Sequence, residues 1–220
     1  MVGWKREFIS LMVEQGVLRF GDFTLKSGRR SPYFFNLGAV STGSALARMG
    51  DGYAQAFRDQ AVRCDGLFGP AYKGIPIATA MAIALARGTP AIDLPVAFNR
   101  KEKKAHGEGG QLIGAPLRGR VLIVDDVVTD GAAKLESKAM IEGAGAEPCG
   151  VLIALDRQEY LDGRRITAAQ ALEADHGLPV ISLVNLQDVI SYLDAPECPV
   201  EDRLALCETI RRYQRLYCVT

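Results

Sequence analysis

An α/β fold built on a doubly wound, mainly parallel sheet flanked by helices follows from three features of the 220-residue chain. Short apolar runs recur at Leu67-Phe68, Val96-Ala97-Phe98, Val121–Val124, Val151–Leu155 and Val180–Val184. These runs do not alternate and most are rich in β-branched residues, as strands covered on both faces should be. Between them lie Gly74–Arg87, Ala132–Ala144 and Thr167–Asp175, rich in Ala, Leu, Met, Glu and Lys and mostly closed by glycine, which read as crossover helices. Regular alternation of the two patterns implies strands joined through helices in one sheet.

The remaining elements are justified in chain order. Trp4–Gln15 carries Phe8, Ile9, Leu11 and Met12 near helical spacing, and Val17–Leu37 reads as a hairpin turning about Ser27-Gly28-Arg29. Ser41–Asp59 is a further helix, and Val200–Tyr217 a terminal amphipathic one. No Pro/Ser-rich linker, charge block or repeat divides the chain. A single domain over residues 1–220 is expected, with residues 1 to about 40 and the C-terminal helix forming an N-terminal hood.

Composition narrows the function classes. The chain is 48% hydrophobic, and 26 basic residues balance 26 acidic ones, for a net charge of zero. A chain this long can bury roughly 70% of its unfolded surface without a metal or disulfide staple. Zero net charge counts against a general binder of nucleic acid or membrane surface, while leaving room for a local basic patch. Cys64, Cys149, Cys198, Cys207 and Cys218 are odd in number, form no CxxC pair and have no histidine at zinc-ligand spacing, which reads as a reduced, cytoplasmic chain. The first residues lack the apolar stretch of a secretion signal, and the longest nearly uncharged run, Gly74–Ala86, falls short of the ~18–20 residues of a membrane span.

Ligands of such sheets bind beyond the carboxyl ends of the strands, so the segment after each strand carries the functional information. In Val121-Leu-Ile-Val-Asp125-Asp126-Val127-Val128-Thr129-Asp130-Gly131-Ala132-Ala133 the strand delivers two adjacent carboxylates, and a short turn then enters a helix whose first N–H groups are unpaired. Such a helix start attracts anions, and ionised aspartate accepts hydrogen bonds from hydroxyls, so a ligand with a phosphate and a polyhydroxylated ring fits both. Alternatively, the acidic pair merely caps the helix. Phe68-Gly69-Pro70-Ala71-Tyr72-Lys73-Gly74 combines a tight turn, a point charge and a second helix start, or is a structural turn only. Arg100, Lys101, Lys103 and Lys104 lie with His106 in a glycine-rich stretch that reads either as a solvated charge run or as a lid closing on a polyanion. His176, at the end of a helix, reads as structural, and neither a metal-ligand cluster nor a Ser/His/Asp arrangement stands out.

Val121–Ala133 resembles the phosphoribosyl diphosphate motif of the type I phosphoribosyltransferases. Phe20–Asn36, Leu67–Ala78, Phe98–Gly110 and Ala154-Leu-Asp-Arg157-Gln-Glu159 are similar, more narrowly, to the orotate phosphoribosyltransferases, from about residue 5 to about residue 215. The resemblance implies transfer of phosphoribose from 5-phospho-α-D-ribose 1-diphosphate (PRPP) to orotate, giving orotidine 5′-phosphate and diphosphate in pyrimidine synthesis. It also implies Mg²⁺ held by substrate and water with no direct protein ligand, and a homodimer whose lid reaches the neighbouring site.

The same resemblance assigns roles. Asp125 and Asp126 hold the ribose hydroxyls, and Val127, Val128, Thr129, Asp130, Gly131, Ala132 and Ala133 wrap the 5′-phosphate. Lys26, Tyr72, Lys73, Arg100, Lys101, Lys104 and His106 contact PRPP, with Lys73, Lys104, His106 and the two aspartates in the catalytic set. Phe34, Phe35, Thr129 and Arg157 take orotate, a guanidinium fork being matched to a carboxylate. In the phosphate loop Asp130 and Ala132 replace the Ala and Thr of many relatives, and an outward Asp130 compensated by Lys134 is expected. Two rivals remain open: transfer to a purine or uracil, against which Phe34-Phe35 and Arg157 count, and a non-catalytic regulator binding RNA or nucleotides, against which zero net charge, Lys73, Lys104 and His106 count.

Overall fold

Successive residues of Val121–Val124 point to opposite faces of their strand and are all fully buried, so this strand has a core on each side. Leu122 and Val124 pack with Leu67, Leu152 and Ala154 on one face; Val121 and Ile123 pack with Phe68, Val151 and Ile153 on the other. The computed structural model describes residues 1–25, 28–101, 111–161 and 163–219. Its helices are α1 (Gly3–Glu14), α2 (Gly43–Asp59), α3 (Gly74–Arg87), α4 (Ala132–Gly143), α5 (Ala168–His176), α6 (Leu186–Asp194) and α7 (Arg203–Tyr217). Its strands are β1 (Leu18–Thr24), β2 (Arg30–Phe35), β3 (Gly66–Gly69), β4 (Val96–Asn99), β5 (Leu112–Gly114), β6 (Arg120–Asp125), β7 (Glu147–Asp156) and β8 (Val180–Asn185).

The main sheet has the order β5-β4-β3-β6-β7-β8, parallel except for β5 at one edge. From β3 the chain winds through α3 to β4 on one side, and from β6 through α4 to β7 and α5 to β8 on the other. The winding reverses between β3 and β6, where the loops beyond their carboxyl ends part and leave a crevice. The Asp125-Asp126 step and the Gly69–Lys73 turn flank this switch point.

Close approach of α2 and α3 depends on one glycine. A Cβ on Gly50 would lie 2.4 Å from the carbonyl oxygen of Ala80. We expect Gly50→Ala to lower stability by about 1–3 kcal/mol through overpacking. Thermal unfolding checks this, and an unchanged melting temperature would show that the helices yield without cost.

The hairpin β1–β2 stands outside the main sheet and is gripped by the end of the chain. Buried Tyr33 of β2 meets Tyr213 of α7 edge-on, with ring centroids 6.1 Å apart. Beyond α7, Val219 donates to the Gln158 carbonyl and Tyr160 donates to that of Tyr217, both at 2.8 Å, so the tail runs beside the segment that follows β7. Thr42, Thr167 and Asn185 cap α2, α5 and α6, and Gly177 ends α5 in the left-handed region after His176. Among the described residues no helix is long and apolar enough to cross a membrane.

Two elements go beyond the sequence reading. Edge strand β5 has only three residues, too few to show a period, and α6 follows β8 without a loop. The signal for α6 was nevertheless present: Asn185 and Asp188 form a capping box, and Leu186, Val189, Ile190 and Leu193 share its buried face.

Candidate active site

Strand β6 carries Asp125 and Asp126 to the sheet edge, where both are buried. Their backbone is fixed from two sides: the Tyr53 hydroxyl donates to the Asp125 carbonyl at 2.7 Å, and the Ala154 N–H to that of Asp126 at 2.9 Å. Each carboxylate has one oxygen on the next backbone N–H, Asp125 Oδ1 on Asp126 at 2.9 Å and Asp126 Oδ1 on Val127 at 2.8 Å. The second oxygen of each meets a lysine. Lys73 Nζ lies 2.8 Å from Asp126 Oδ2, spanning the crevice between the β3 and β6 loops, and Lys134 Nζ pairs with Asp125 Oδ2 from the first turn of α4. Burial pushes the Asp125 carboxyl above the usual range, and the Lys134 ammonium opposes that rise.

The turn presenting Lys73 is closed by glycines. A Cβ on Gly69 would come within 2.4 Å of the Gly74 carbonyl oxygen, and one on Gly74 within 2.5 Å of Pro70 Cδ. Asn99, at the end of β4, accepts the Ala71 N–H at 2.7 Å and ties the neighbouring loop to this turn. Tyr72 is exposed, with the Lys101 ammonium 4.9 Å from its ring centre. Arg100 donates its backbone N–H to Gln111 at 2.7 Å, closing the base of the cationic stretch. Lys26, Lys104 and His106 lie outside the described residues.

Beyond Asp126 the phosphate loop runs through half-buried Val127 and Val128 and exposed Thr129 and Asp130 to Gly131, the N-cap of α4. Gly131 has φ +85°, a conformation that glycine adopts freely. The acidic pair therefore does not cap α4. Ala132 and Ala133 are exposed in its first turn, where the helix dipole favours an anion. Asp130 is exposed, but its carboxylate turns back onto the helix start rather than outward, its Oδ1 accepting the Ala132 N–H at 3.1 Å. Lys134 corrects the sequence reading: it is 4% exposed and pairs with Asp125, so it does not offset Asp130. A cation near a helix N-terminus opposes the dipole and needs a carboxylate partner, which β6 supplies.

Arg157 follows β7 and is held on several sides. Its Nη2 lies 2.5 Å from Glu159 Oε1 and 3.2 Å from Ser31 Oγ, and its guanidinium is 4.3 Å from the Tyr33 ring centre. Glu159 also accepts from Arg29 at 3.1 Å and from the Tyr213 hydroxyl at 2.7 Å. Burial, reinforced by the Glu159 charge, pushes the Tyr213 phenol up to about 12. Local sequence carries no signal for this role of Glu159, because it joins Arg29, the end of β7 and α7, which lie far apart in the chain. Phe34 and Phe35, expected together, alternate across β2: Phe35 packs on the core, whereas Phe34 meets Phe23 and the Arg19 guanidinium. Among the described residues, no three His, Cys, Asp or Glu side chains converge on a metal position.

The switch-point crevice, with its acidic step and the lysine across it, fits the type I phosphoribosyltransferase fold that the sequence resembles, and comparison with known proteins shows that class. Residues 43–175 match the phosphoribosyl transferase domain family, to which the chain belongs. Within it the chain belongs with the orotate phosphoribosyltransferases. The chain is 53% identical to the orotate phosphoribosyltransferase of Pseudomonas aeruginosa over 211 residues, covering 96% of this chain and 98% of that protein. With that of Thioalkalivibrio sulfidiphilus the identity is 58% over 193 residues, 88% of this chain and 90% of the other. A crystal structure of the Francisella tularensis orotate phosphoribosyltransferase superposes with a TM-score of 0.84 at 37% identity, covering 97% of this chain and all of that one.

Proposed function

We propose that this orotate phosphoribosyltransferase binds PRPP across the β3/β6 switch point as one domain over residues 1–220, and that the Lys73–Asp126 contact is where its diphosphate and ribose ends divide. The acidic step Asp125-Asp126 faces the ribose hydroxyls, which donate to carboxylate oxygens. Backbone N–H groups from Thr129 to Ala133 take the 5′-phosphate at the start of α4. Lys73, with Tyr72, Arg100 and Lys101 beside it, takes the diphosphate, and by resemblance so do Lys26, Lys104 and His106. Arg157, with Thr129 and with Phe35 on the same β2 face as Ser31 and Tyr33, takes orotate.

Breaking the anomeric C–O bond puts positive charge on the ribose and negative charge on the departing diphosphate. The chemistry therefore requires cations on the leaving group more than a strong base. Lys73 is well suited: it is half-exposed on a flexible stem and leaves Asp126 when a more strongly charged partner arrives. Mg²⁺ would be held, as the resemblance implies, by diphosphate oxygens and water. Bound there, the ion neutralises diphosphate charge. By resemblance, the segment after Arg100 would serve to exclude water, which would otherwise capture the activated ribose. The enzyme works in the cytoplasm as a homodimer with shared sites.

Asp130 competes with the substrate in this reading, since its carboxylate occupies the Ala132 N–H that a phosphate would use. Asp130→Ala should lower KM for PRPP about threefold, the scale of one exposed charge at a helix terminus. An unchanged KM in steady-state kinetics would make Asp130 a bystander. Orotidine 5′-phosphate formation at varied PRPP and orotate tests the whole assignment, with sedimentation for the dimer and Mg²⁺ chelation for the metal requirement.

A further inference from the structure

The segment that carries Arg157 leaves the sheet at Asp156, the last residue of β7, and is braced by the end of the chain rather than by a neighbouring strand. The Gln158 carbonyl accepts the Val219 N–H, the Tyr160 N–H reaches the Tyr217 carbonyl, and the Cys218 thiol donates to the Arg157 carbonyl at 3.6 Å. Gln158 itself sits at φ +55°, with its N–H on Asp156 Oδ1 at 2.8 Å, so the turn between Arg157 and Glu159 is held at both ends.

The side chains are held in the same way. Arg157 Nε donates to Glu159 Oε1 at 2.8 Å, Nη2 lies 2.5 Å from that same oxygen, and the Tyr33 ring lies against the guanidinium. Glu159 therefore takes one edge of the fork. Nη1 has no partner among the described residues, and the Arg157 side chain keeps 12% exposure, which leaves its other edge for a ligand. Glu159 is fixed in turn by distant elements: the Tyr213 hydroxyl of α7 donates to Oε1 at 2.7 Å and Arg29 to Oε2 at 3.1 Å. An arginine side chain locked along one edge before the ligand arrives spares the ligand the cost of ordering it. Without Glu159, a buried guanidinium would lose its counter-charge and that order together.

We propose that Glu159 is the positioning residue for the acceptor: held by Tyr213, it locks one edge of Arg157 and presets Nη1 for the carboxylate of orotate, so that orotate affinity depends on α7 through a single carboxylate. This role rests on the reading that Arg157 takes orotate.

Steady-state kinetics on the purified full chain, with unfolding temperature alongside, tests it through Glu159→Met, Tyr213→Phe and the two combined. Glu159→Met keeps the reach of the side chain and removes both oxygens; it should raise KM for orotate about tenfold and leave KM for PRPP within about threefold. Tyr213→Phe keeps the ring against Tyr33 and should fold, and it should raise KM for orotate about threefold, the scale of one hydrogen bond acting through Glu159. Because Tyr213 works through Glu159, the double variant should be no worse than Glu159→Met alone. A merely structural Glu159 would lower the unfolding temperature and leave KM for orotate unchanged, or raise KM for both substrates equally. Either result would overturn the proposal, as would additive losses in the double variant. If Glu159→Met does not fold, Tyr213→Phe decides alone, and an unchanged KM for orotate in that variant ends the proposal. Arg157→Lys separates the two readings. An unchanged KM for orotate there removes Arg157 from the acceptor site and the positioning role with it, whereas a raised KM there, with none in Glu159→Met or Tyr213→Phe, removes the positioning role only.

Discussion

Lys73→Ala should reduce kcat about 10²–10³-fold, the loss expected when one preorganised charge is removed from a developing anion. In this chain the ammonium is poised by a turn that tolerates little change: Gly69 and Gly74 pack against each other, and Asn99 fixes the Ala71 N–H. The backbone that carries the charge is therefore fixed, and only the Lys73 side chain moves, from Asp126 to the diphosphate. KM for orotate should stay within about threefold, because hydrogen bonding to the acceptor lies elsewhere. Steady-state kinetics at saturating PRPP reads both quantities, and a variant retaining kcat within threefold would place the leaving-group cations in the segment after Arg100 instead.

Arg157→Lys should raise KM for orotate about 10- to 100-fold, the scale of a lost hydrogen bond to a charged group. Lysine keeps the charge but loses the planar fork, and here it also loses stacking on Tyr33 and the paired reach to Glu159 and Ser31. The same substitution should leave PRPP affinity within about threefold, because no cradle residue depends on the fork. A fall in PRPP affinity equal to the fall in orotate affinity would mean that Arg157 serves the hood rather than the substrate.

Much of this architecture was legible in the amino-acid sequence for a local reason. The central strands are short apolar runs buried on both faces, and the Ala-, Ile- and Leu-rich run that begins at one glycine and stops before another puts α3 on Gly74–Arg87 as read. The Asp125-Asp126 step and the Lys73 turn were visible because a parallel sheet directs function to its carboxyl edge. What stayed hidden depends on contacts across the chain. Lys134 reads as a helix residue beside Asp130 until β6 brings Asp125 beneath it. Glu159 reads as one more charge until Arg29, Arg157 and Tyr213 converge on it from separate elements. Phe34 and Phe35 read as a pair because they are neighbours in sequence, but consecutive strand residues face opposite ways.

The most direct test of the central claim is one assay of the purified chain with PRPP, Mg²⁺ and orotate, following orotate absorbance and diphosphate release together. Orotate should disappear with one diphosphate released for each orotidine 5′-phosphate formed, and the reaction should stop when the divalent ion is chelated. Diphosphate released with a purine or uracil while orotate remains untouched would contradict the assignment.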